Sequence, residues 1–323
     1  MRIVFFETNK EEEKILKGLL PEIDAVFSSE KLSLDNVSLA KDAEIMSVFI
    51  NSEISKEIID QLPLLKFIST RSTGFDHIDH IYAESKNIVV SNVPAYGSRT
   101  VAEHTFALLL EFSRKAGEAN RQIKAENNFD IEIMQFKGFD LFGKTIGVIG
   151  TGKIGKNVCR IAKGFGMKIL ATDLYPDYVF AEELGVEYIP LTELLSASDI
   201  VTIHTPYNET TFHLINKENI KQFKKGAYLI NTARGEIVET EALVSALKDG
   251  TLAGTGLDVL EGERQLKSEK NIGGPVAELI QMPNVVVTPH IAFCTTEAIA
   301  EILKVTTENI KSFSAGTPQN LVK

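Results

Sequence analysis

Three side chains of different chemistry close three apolar runs in the second half of the chain. Arg234 stands in Ile230-Asn-Thr-Ala-Arg-Gly235, Glu263 follows Leu257-Asp-Val-Leu260, and His290 follows Val285-Val-Val-Thr-Pro289. An arginine fork grips a carboxylate through two charge-assisted hydrogen bonds, which the point charge of a lysine does not reproduce. An imidazole exchanges a proton readily near neutral pH, and a carboxylate beside it fixes the ring and balances its charge. A carboxylate grip, a proton donor and an acid to steady that donor are what hydride transfer to a 2-keto acid asks of a protein. Each residue also has a plainer role open to it: a surface arginine, a solvated loop charge beside Arg264, and a structural histidine.

A second group of residues suits a nucleotide. Gly150-Thr-Gly152-Lys-Ile-Gly155 follows Ile146-Gly-Val-Ile149 directly and opens a helical pattern in which Ile154, Val158, Ile161 and Ala162 repeat. Strand, turn and helix in that order make a dinucleotide fingerprint. Gly150 permits the tight turn, Gly152 lets the backbone approach a pyrophosphate, and Gly155 lets the helix close on the strand. The helix N-terminus then offers unpaired N–H groups and a positive dipole end to the phosphates. Asp173 ends the next apolar run, where an acidic side chain accepts ribose hydroxyls and repels a 2′-phosphate, so NAD is expected rather than NADP.

These side chains need a scaffold, and the apolar pattern supplies one. In the first hundred residues, candidate strands at 2–6, 25–28, 44–50, 65–70 and 88–93 alternate with helical faces at 11–20 and 55–62. That alternation implies a parallel sheet. A long helix after Pro94 carries a capping-box spacing at Thr100 and Glu103 and is apolar on nearly every side from Val101 to Phe112. This suits a place between domains or subunits, or a plain core helix. From Lys144 six strands are expected, at 145–149, 168–172, 199–204, 227–231, 255–259 and 284–288, in a doubly wound nucleotide fold. A final helix, from about 295 to 313 with Ile299, Ile302, Leu303, Ile310 and Phe313 on its buried side, is expected to return to the first domain. The stretch 263–282 is poorly patterned and reads as a loop or partial helix.

Composition narrows the function. The 323 residues hold 34 Lys plus Arg against 44 Asp plus Glu, a net charge of −10 that argues against nucleic-acid binding. No apolar run approaches the ~20 residues that span a bilayer. The N-terminus lacks a signal-peptide pattern, and the two cysteines, Cys159 and Cys294, have no C-x-x-C spacing. A cytoplasmic protein without a disulfide scaffold is therefore expected. His77 and His80 have no metal-site frame around them, so no metal is expected.

Taken together, the Gly150–Gly155 turn, Ile230-Asn-Thr-Ala-Arg-Gly235, Leu257-Asp-Val-Leu260 and Thr288-Pro-His-Ile-Ala292 resemble the D-isomer-specific 2-hydroxyacid dehydrogenase family. The likeness covers essentially the whole chain. Arg71-Ser-Thr-Gly74-Phe-Asp76-His-Ile-Asp79 resembles the family's substrate loop. Asn92-Val-Pro-Ala-Tyr96 and His290-Ile-Ala-Phe-Cys294 resemble its NAD-dependent D-lactate dehydrogenase branch. Two departures stand out: Arg264 where many relatives have Pro, and Cys294 where an aromatic residue is common in that branch.

The resemblance implies two Rossmann-like or flavodoxin-like α/β domains with parallel sheets. A discontinuous substrate domain would comprise 1–97 and 294–323, and an NAD-binding domain 98–293. It implies Arg234 on the substrate carboxylate, His290 as acid/base and Glu263 as its partner, with Thr73, Gly74 and Tyr96 meeting the substrate. For NAD it implies Lys153, Ile154, Asp173, Thr205, Pro206, Thr232, Ala233 and Asp258 beside Gly150, Gly152 and Gly155. It also implies a homodimer and a D-2-hydroxy acid/2-keto acid pair, with D-lactate and pyruvate foremost. Branched 2-keto acids, hydroxypyruvate or glyoxylate, 3-phosphoglycerate, and an NAD(H)-sensing corepressor role remain the alternatives.

Overall fold

The computed structural model describes residues 1–266 and 272–322. The chain forms two compact units, Met1–Tyr96 with Cys294–Lys323, and Gly97–Phe293. Both are α/β, each built on a parallel sheet.

In the first unit the strands are β1 (Arg2–Phe5), β2 (Asp24–Phe27), β3 (Ile45–Val48), β4 (Phe67–Thr70) and β5 (Val89–Ser91). They pair in the order β2-β1-β3-β4-β5, all parallel. This is the flavodoxin-like order, with its switch point between β1 and β3. Successive residues of a strand face opposite sides. Ile3 and Phe5 therefore join Leu16, Phe67, Leu303 and Ile310 in one core, while Val4 and Phe6 join Val48, Ile54 and Ile68 in another. A parallel sheet covered on both faces reads as continuous apolar runs, and these five strands do so. The helix Thr296–Ser314 covers one face, with Phe313 stacked on Phe67 at 4.4 Å between ring centroids. The helical face expected at 55–62 is helical only over Lys56–Ile59.

The second unit has seven strands where the apolar pattern led to an expectation of six. They are β6 (Thr145–Ile149), β7 (Lys168–Thr172), β8 (Val186–Tyr188), β9 (Ile200–Ile203), β10 (Ala227–Asn231), β11 (Leu252–Leu257) and β12 (Val285–Val287). Their order is β12-β11-β10-β9-β6-β7-β8. The added strand β8 follows Gly185, whose φ of 76° ends the preceding helix, and it forms the sheet edge beside β7. The sequence reverses direction between β6 and β9, which opens the crevice where doubly wound sheets take their ligands.

The long helix runs Ser98–Arg114, one turn earlier than the capping box implied. Gly97 is its N-cap, no side chain caps it, and Thr100 lies inside. Its buried side carries Ala102, Thr105, Phe106, Leu108 and Leu109. It packs on the helix Lys153–Gly164 and on β10 and β11, which makes it a core helix of this unit. Within 263–282 helix appears over Glu263–Leu266 and Gly274–Gln281; residues 267–271 lie outside the described part.

Candidate active site

The turn after β6 is shaped by close approaches that only glycine permits. Gly150 has φ 90°, and a Cβ there would meet the backbone of His204 and Thr205 at 2.8 Å, so the turns after β6 and β9 touch at the switch point. A Cβ on Gly155 would overlap the Gly150 carbonyl oxygen. At Gly152 nothing lies within 4 Å of the Cβ position. Gly152 is also the N-cap of the helix Lys153–Gly164, and no side chain caps it. Among the described residues, the amides of Lys153, Ile154 and Gly155 have no acceptor. An open helix N-terminus with free N–H groups above a glycine crook fits a dinucleotide pyrophosphate.

Asp173, at the end of β7, is tied to the same turn. One carboxylate oxygen accepts the Thr151 amide at 2.6 Å and the Thr151 hydroxyl at 2.9 Å, and the other accepts the Tyr175 amide at 2.9 Å. Burial alone would raise this carboxyl. The hydrogen bonds from Tyr175, Thr151 and Leu174 outweigh burial and hold it below the ordinary carboxylate range. The group is therefore a fixed anion beside the glycine turn. Thr205 and Pro206 follow β9, where the Pro206 carbonyl accepts the Thr211 hydroxyl at 2.7 Å. Thr232 is buried after β10, its hydroxyl 3.1 Å from that of Thr105. The Ala233 amide donates to Asn231 Oδ1 at 3.0 Å.

The C-terminal ends of the adjacent strands β10, β11 and β12 carry the reactive set. Arg234 is held by its backbone, whose carbonyl accepts Asn231 Nδ2 at 2.8 Å, while its Nη1 donates to the Ala233 carbonyl at 2.8 Å. Gly235 lies directly against the backbone of Leu260 and Glu261, so the Arg234 turn and the Glu263 loop share a wall. His290 has φ 57°, a left-handed conformation uncommon outside glycine. Its amide, directed at the carbonyls of Asp258 (2.9 Å) and Thr288 (3.0 Å), fixes that geometry. The ring's Nδ1 lies 2.6 Å from Glu263 Oε1, and both side chains are largely buried, at 16% and 21% exposure. With Nδ1 engaged, Nε2 is the ring position open to exchange a proton; among the described residues it has no hydrogen-bond partner.

Asp258 underlies this arrangement. It is 1% exposed, and its carboxylate accepts the Thr288 hydroxyl at 2.5 Å and the amides of Ile291 and Ala292 at 2.9 and 2.8 Å. His104 Nε2 stands 3.5 Å away. Burial would raise the Asp258 carboxyl, yet the hydrogen bonds from His104, Thr288, Ala292 and Ile291 prevail and hold it below the carboxylate range. The segment bearing His290 is thus seated on a buried anion. From the sequence alone Asp258 stands only as a cofactor residue; an acid inside an apolar strand end carries no local mark of which amides it will receive.

Thr73, Gly74 and Tyr96 belong to the first unit. In the loop after β4 the carbonyls are occupied: Thr73 O accepts Asn92 Nδ2 at 2.7 Å and Gly74 O accepts the Ser72 hydroxyl at 2.6 Å. The Thr73 hydroxyl donates to the Val93 carbonyl at 2.8 Å. The amides of Thr73 and Gly74 have no acceptor among the described residues, so the loop presents two adjacent N–H donors of the kind that bind a carboxylate. Beneath the loop, Arg71 is 2% exposed and joins three strand ends. It donates to the Phe6 and Glu7 carbonyls at 2.5 and 2.9 Å and to the Ser47 hydroxyl at 3.0 Å. Arg71 opens the segment that resembles a substrate loop, and its burial makes it a brace beneath that loop. Tyr96 is half-buried at the end of this part of the chain.

A doubly wound sheet with a glycine crook at its switch point, an acidic residue at the next strand end and a carboxylate-held imidazole at the end of the edge strand β12 defines an NAD-binding oxidoreductase. Residues 106–292 match the family model described as D-isomer specific 2-hydroxyacid dehydrogenase, NAD binding domain. The chain is 34% identical to D-lactate dehydrogenase of Escherichia coli over 333 residues, covering 100% of both. It is 37% identical to glyoxylate reductase of Korarchaeum cryptofilum, covering 93% of this chain and 87% of the relative. Among solved structures, D-lactate dehydrogenase from Aquifex aeolicus complexed with NAD and lactic acid superposes with a TM-score of 0.88 at 36% identity, over 98% of this chain and 96% of that one. The chain belongs to the D-isomer-specific 2-hydroxyacid dehydrogenase family, and its cofactor is NAD.

Proposed function

We propose that this enzyme interconverts D-lactate and pyruvate, with His290 as the acid/base. The observation that carries the reading is the His290–Glu263 pair, which leaves Nε2 open at the end of β12, two strands from β10, the strand Arg234 follows. NADH, when bound, supplies a hydride to the carbonyl carbon of the keto acid. Arg234 takes the substrate carboxylate through two parallel hydrogen bonds, assisted by the Thr73 and Gly74 amides. Tyr96 contacts the substrate. His290 Nε2 gives its proton to the ketone oxygen during reduction and takes one from the hydroxyl during oxidation, while Glu263 balances the positive ring. Atoms balance as keto acid, NADH and one proton giving hydroxy acid and NAD⁺.

For the cofactor, Gly150, Gly152, Lys153, Ile154 and Gly155 would hold the pyrophosphate and Asp173 the adenosine ribose. Thr205, Pro206, Thr232, Ala233 and Asp258 would line the remainder. A homodimer and a cytoplasmic location complete the proposal. Apolar side chains left exposed on one stretch of chain, Phe129 at 87%, Ile133 at 75%, Met134 at 63% and Phe142 at 81%, support association. Among the described residues no helix is long and apolar enough to cross a membrane.

The glyoxylate reductase relative favours one second reading, a smaller or more polar 2-keto acid such as glyoxylate or hydroxypyruvate. The deciding measurement is kcat/KM with NADH for pyruvate, glyoxylate, hydroxypyruvate, phenylpyruvate and 2-ketoisocaproate, with chiral analysis of the product. Pyruvate is expected to lead and to yield D-lactate. His290→Ala is expected to lower kcat by roughly a thousandfold, in the range found when a general acid is removed. An unchanged rate in that variant, or an L product, refutes the proposal.

A further inference from the structure

We propose that two neighbouring residues of the helix Ser98–Arg114, His104 and Thr105, are positioning residues that set the spacing between Arg234 and His290. The inference rests on the roles given to Arg234 and His290 above. His104 reaches Thr288 and Thr105 reaches Thr232, and each of these threonines stands two residues before one of the two reactive side chains.

The helix is seated where it can do this. It packs on β10 and β11, and glycines in β11 bring it close to the sheet. A Cβ on Gly256 would lie 3.0 Å from Leu108 Cβ, and one on Gly254 would lie 3.1 Å from the Phe112 ring. β11 in turn lies between β10 and β12. Consecutive helical residues project about 100° apart, so Thr105 meets the turn after β10 while His104 meets the turn after β12.

The direction of each hydrogen bond follows from its neighbours, because a hydroxyl has a single proton to give. Thr288 gives its proton to Asp258 Oδ1 at 2.5 Å, so its oxygen accepts from His104 Nε2 at 3.1 Å. Thr105 gives its proton to the Val101 carbonyl at 2.9 Å, so its oxygen accepts the Thr232 hydroxyl at 3.1 Å. His104 therefore carries a proton on Nε2. Thr105, Thr232 and Asp258 are buried, which screens these contacts from competing water.

Both turns are closed, so a shift at either threonine is passed on. The His290 amide is directed at the Thr288 and Asp258 carbonyls. After β10, the Asn231 side chain accepts the Ala233 amide at 3.0 Å and donates to the Arg234 carbonyl at 2.8 Å. The helix thus gives two separate strand-end turns one rigid base.

The test is steady-state kinetics on the full-length enzyme with pyruvate and NADH, with the Ki of oxamate, an unreactive isostere of pyruvate, and the NADH Kd by fluorescence. His104→Leu is expected to lower kcat roughly tenfold and leave the pyruvate KM within about twofold, because it disturbs the proton donor. His104→Asn, too short to reach Thr288, is expected to do the same. Thr105→Val is expected to raise the pyruvate KM and the oxamate Ki roughly tenfold, with kcat and the NADH Kd within about twofold, because it disturbs the carboxylate grip. General loosening of the fold would move both constants in every variant. His104→Gln keeps an N–H and Thr105→Ser keeps the hydroxyl, and each is expected to return its constant to within about threefold of the parent. If His290→Ala turns over at the parent rate, or Arg234→Gln binds oxamate as the parent does, the proposed roles are wrong and this inference falls with them. If those two variants are impaired while His104→Leu, His104→Asn and Thr105→Val match the parent, or lose kcat and KM alike without recovery in the conservative variants, only the positioning claim is overturned.

Discussion

Replacing Asp258 with Asn removes a charge but almost no volume, which isolates the electrostatic seat of the His290 segment. The carboxylate has one oxygen on the Ala292 amide and the other on the Ile291 amide and the Thr288 hydroxyl. An asparagine can accept on one side only, so its NH2 must face a donor on the other. Leaving one buried donor unsatisfied costs about 1–3 kcal/mol, and turning the surviving charge-assisted bonds into neutral ones costs about 1 kcal/mol more. Relief of the buried charge offsets part of this, for a net loss of about 2 kcal/mol. In a unit of this size that lowers its Tm by about 4–8 °C. Because Asp258 is 1% exposed, solvent screening does not dilute the effect.

The assay is thermal and urea unfolding followed by circular dichroism, with hydrogen exchange at the Ile291 and Ala292 amides. The pH dependence has a definite sign. The folded Asp258 carboxyl titrates below its unfolded value, so its contribution is whole above about pH 4 and disappears as pH falls through the lower folded value. The gap between wild type and Asp258→Asn should therefore narrow in acid. A Tm within about 1 °C of wild type at pH 7, together with unchanged exchange at both amides, refutes the reasoning.

Two further outcomes are expected. Asp173→Ala should raise the KM for NADH roughly tenfold and leave that for NADPH nearly unchanged, because the anion that excludes a 2′-phosphate is gone; steady-state kinetics with both cofactors check this. Gly155→Ala should destabilise by about 1–3 kcal/mol through overlap with the Gly150 carbonyl, and should weaken NADH binding in a fluorescence titration because the glycine crook must shift.

What could be read from the chain alone follows from how far each interaction reaches. Strands buried on both faces announce themselves as apolar runs, and a glycine crook between strand and helix is legible because its three positions are local. β8 escaped because Val186-Glu-Tyr188 is too short for alternation to register; Gly185 ending a helix just before it was the available hint. The capping-box spacing at Thr100 misled because the helix had already begun at Ser98 and needed no side-chain cap. His213 with Glu261, and Asp258 with Ile291 and Ala292, are joined by partners 48, 33 and 34 residues apart, so no window of sequence contains both ends. Arg71 looked like part of a ligand loop because its acceptors, Phe6, Glu7 and Ser47, come from strands that only the folded sheet brings beside it.

The helix Thr296–Ser314 completes the core around Phe67, yet the whole second unit separates the two along the chain. On a ribosome, β4 emerges on the order of ten to forty seconds before the helix that covers it. During that interval the entire nucleotide-binding unit can fold, while one face of the earlier sheet stays uncovered and sticky. The sheet of the first unit should therefore be the main client of holding chaperones during synthesis, and truncations that stop short of Thr296–Ser314 should aggregate through it.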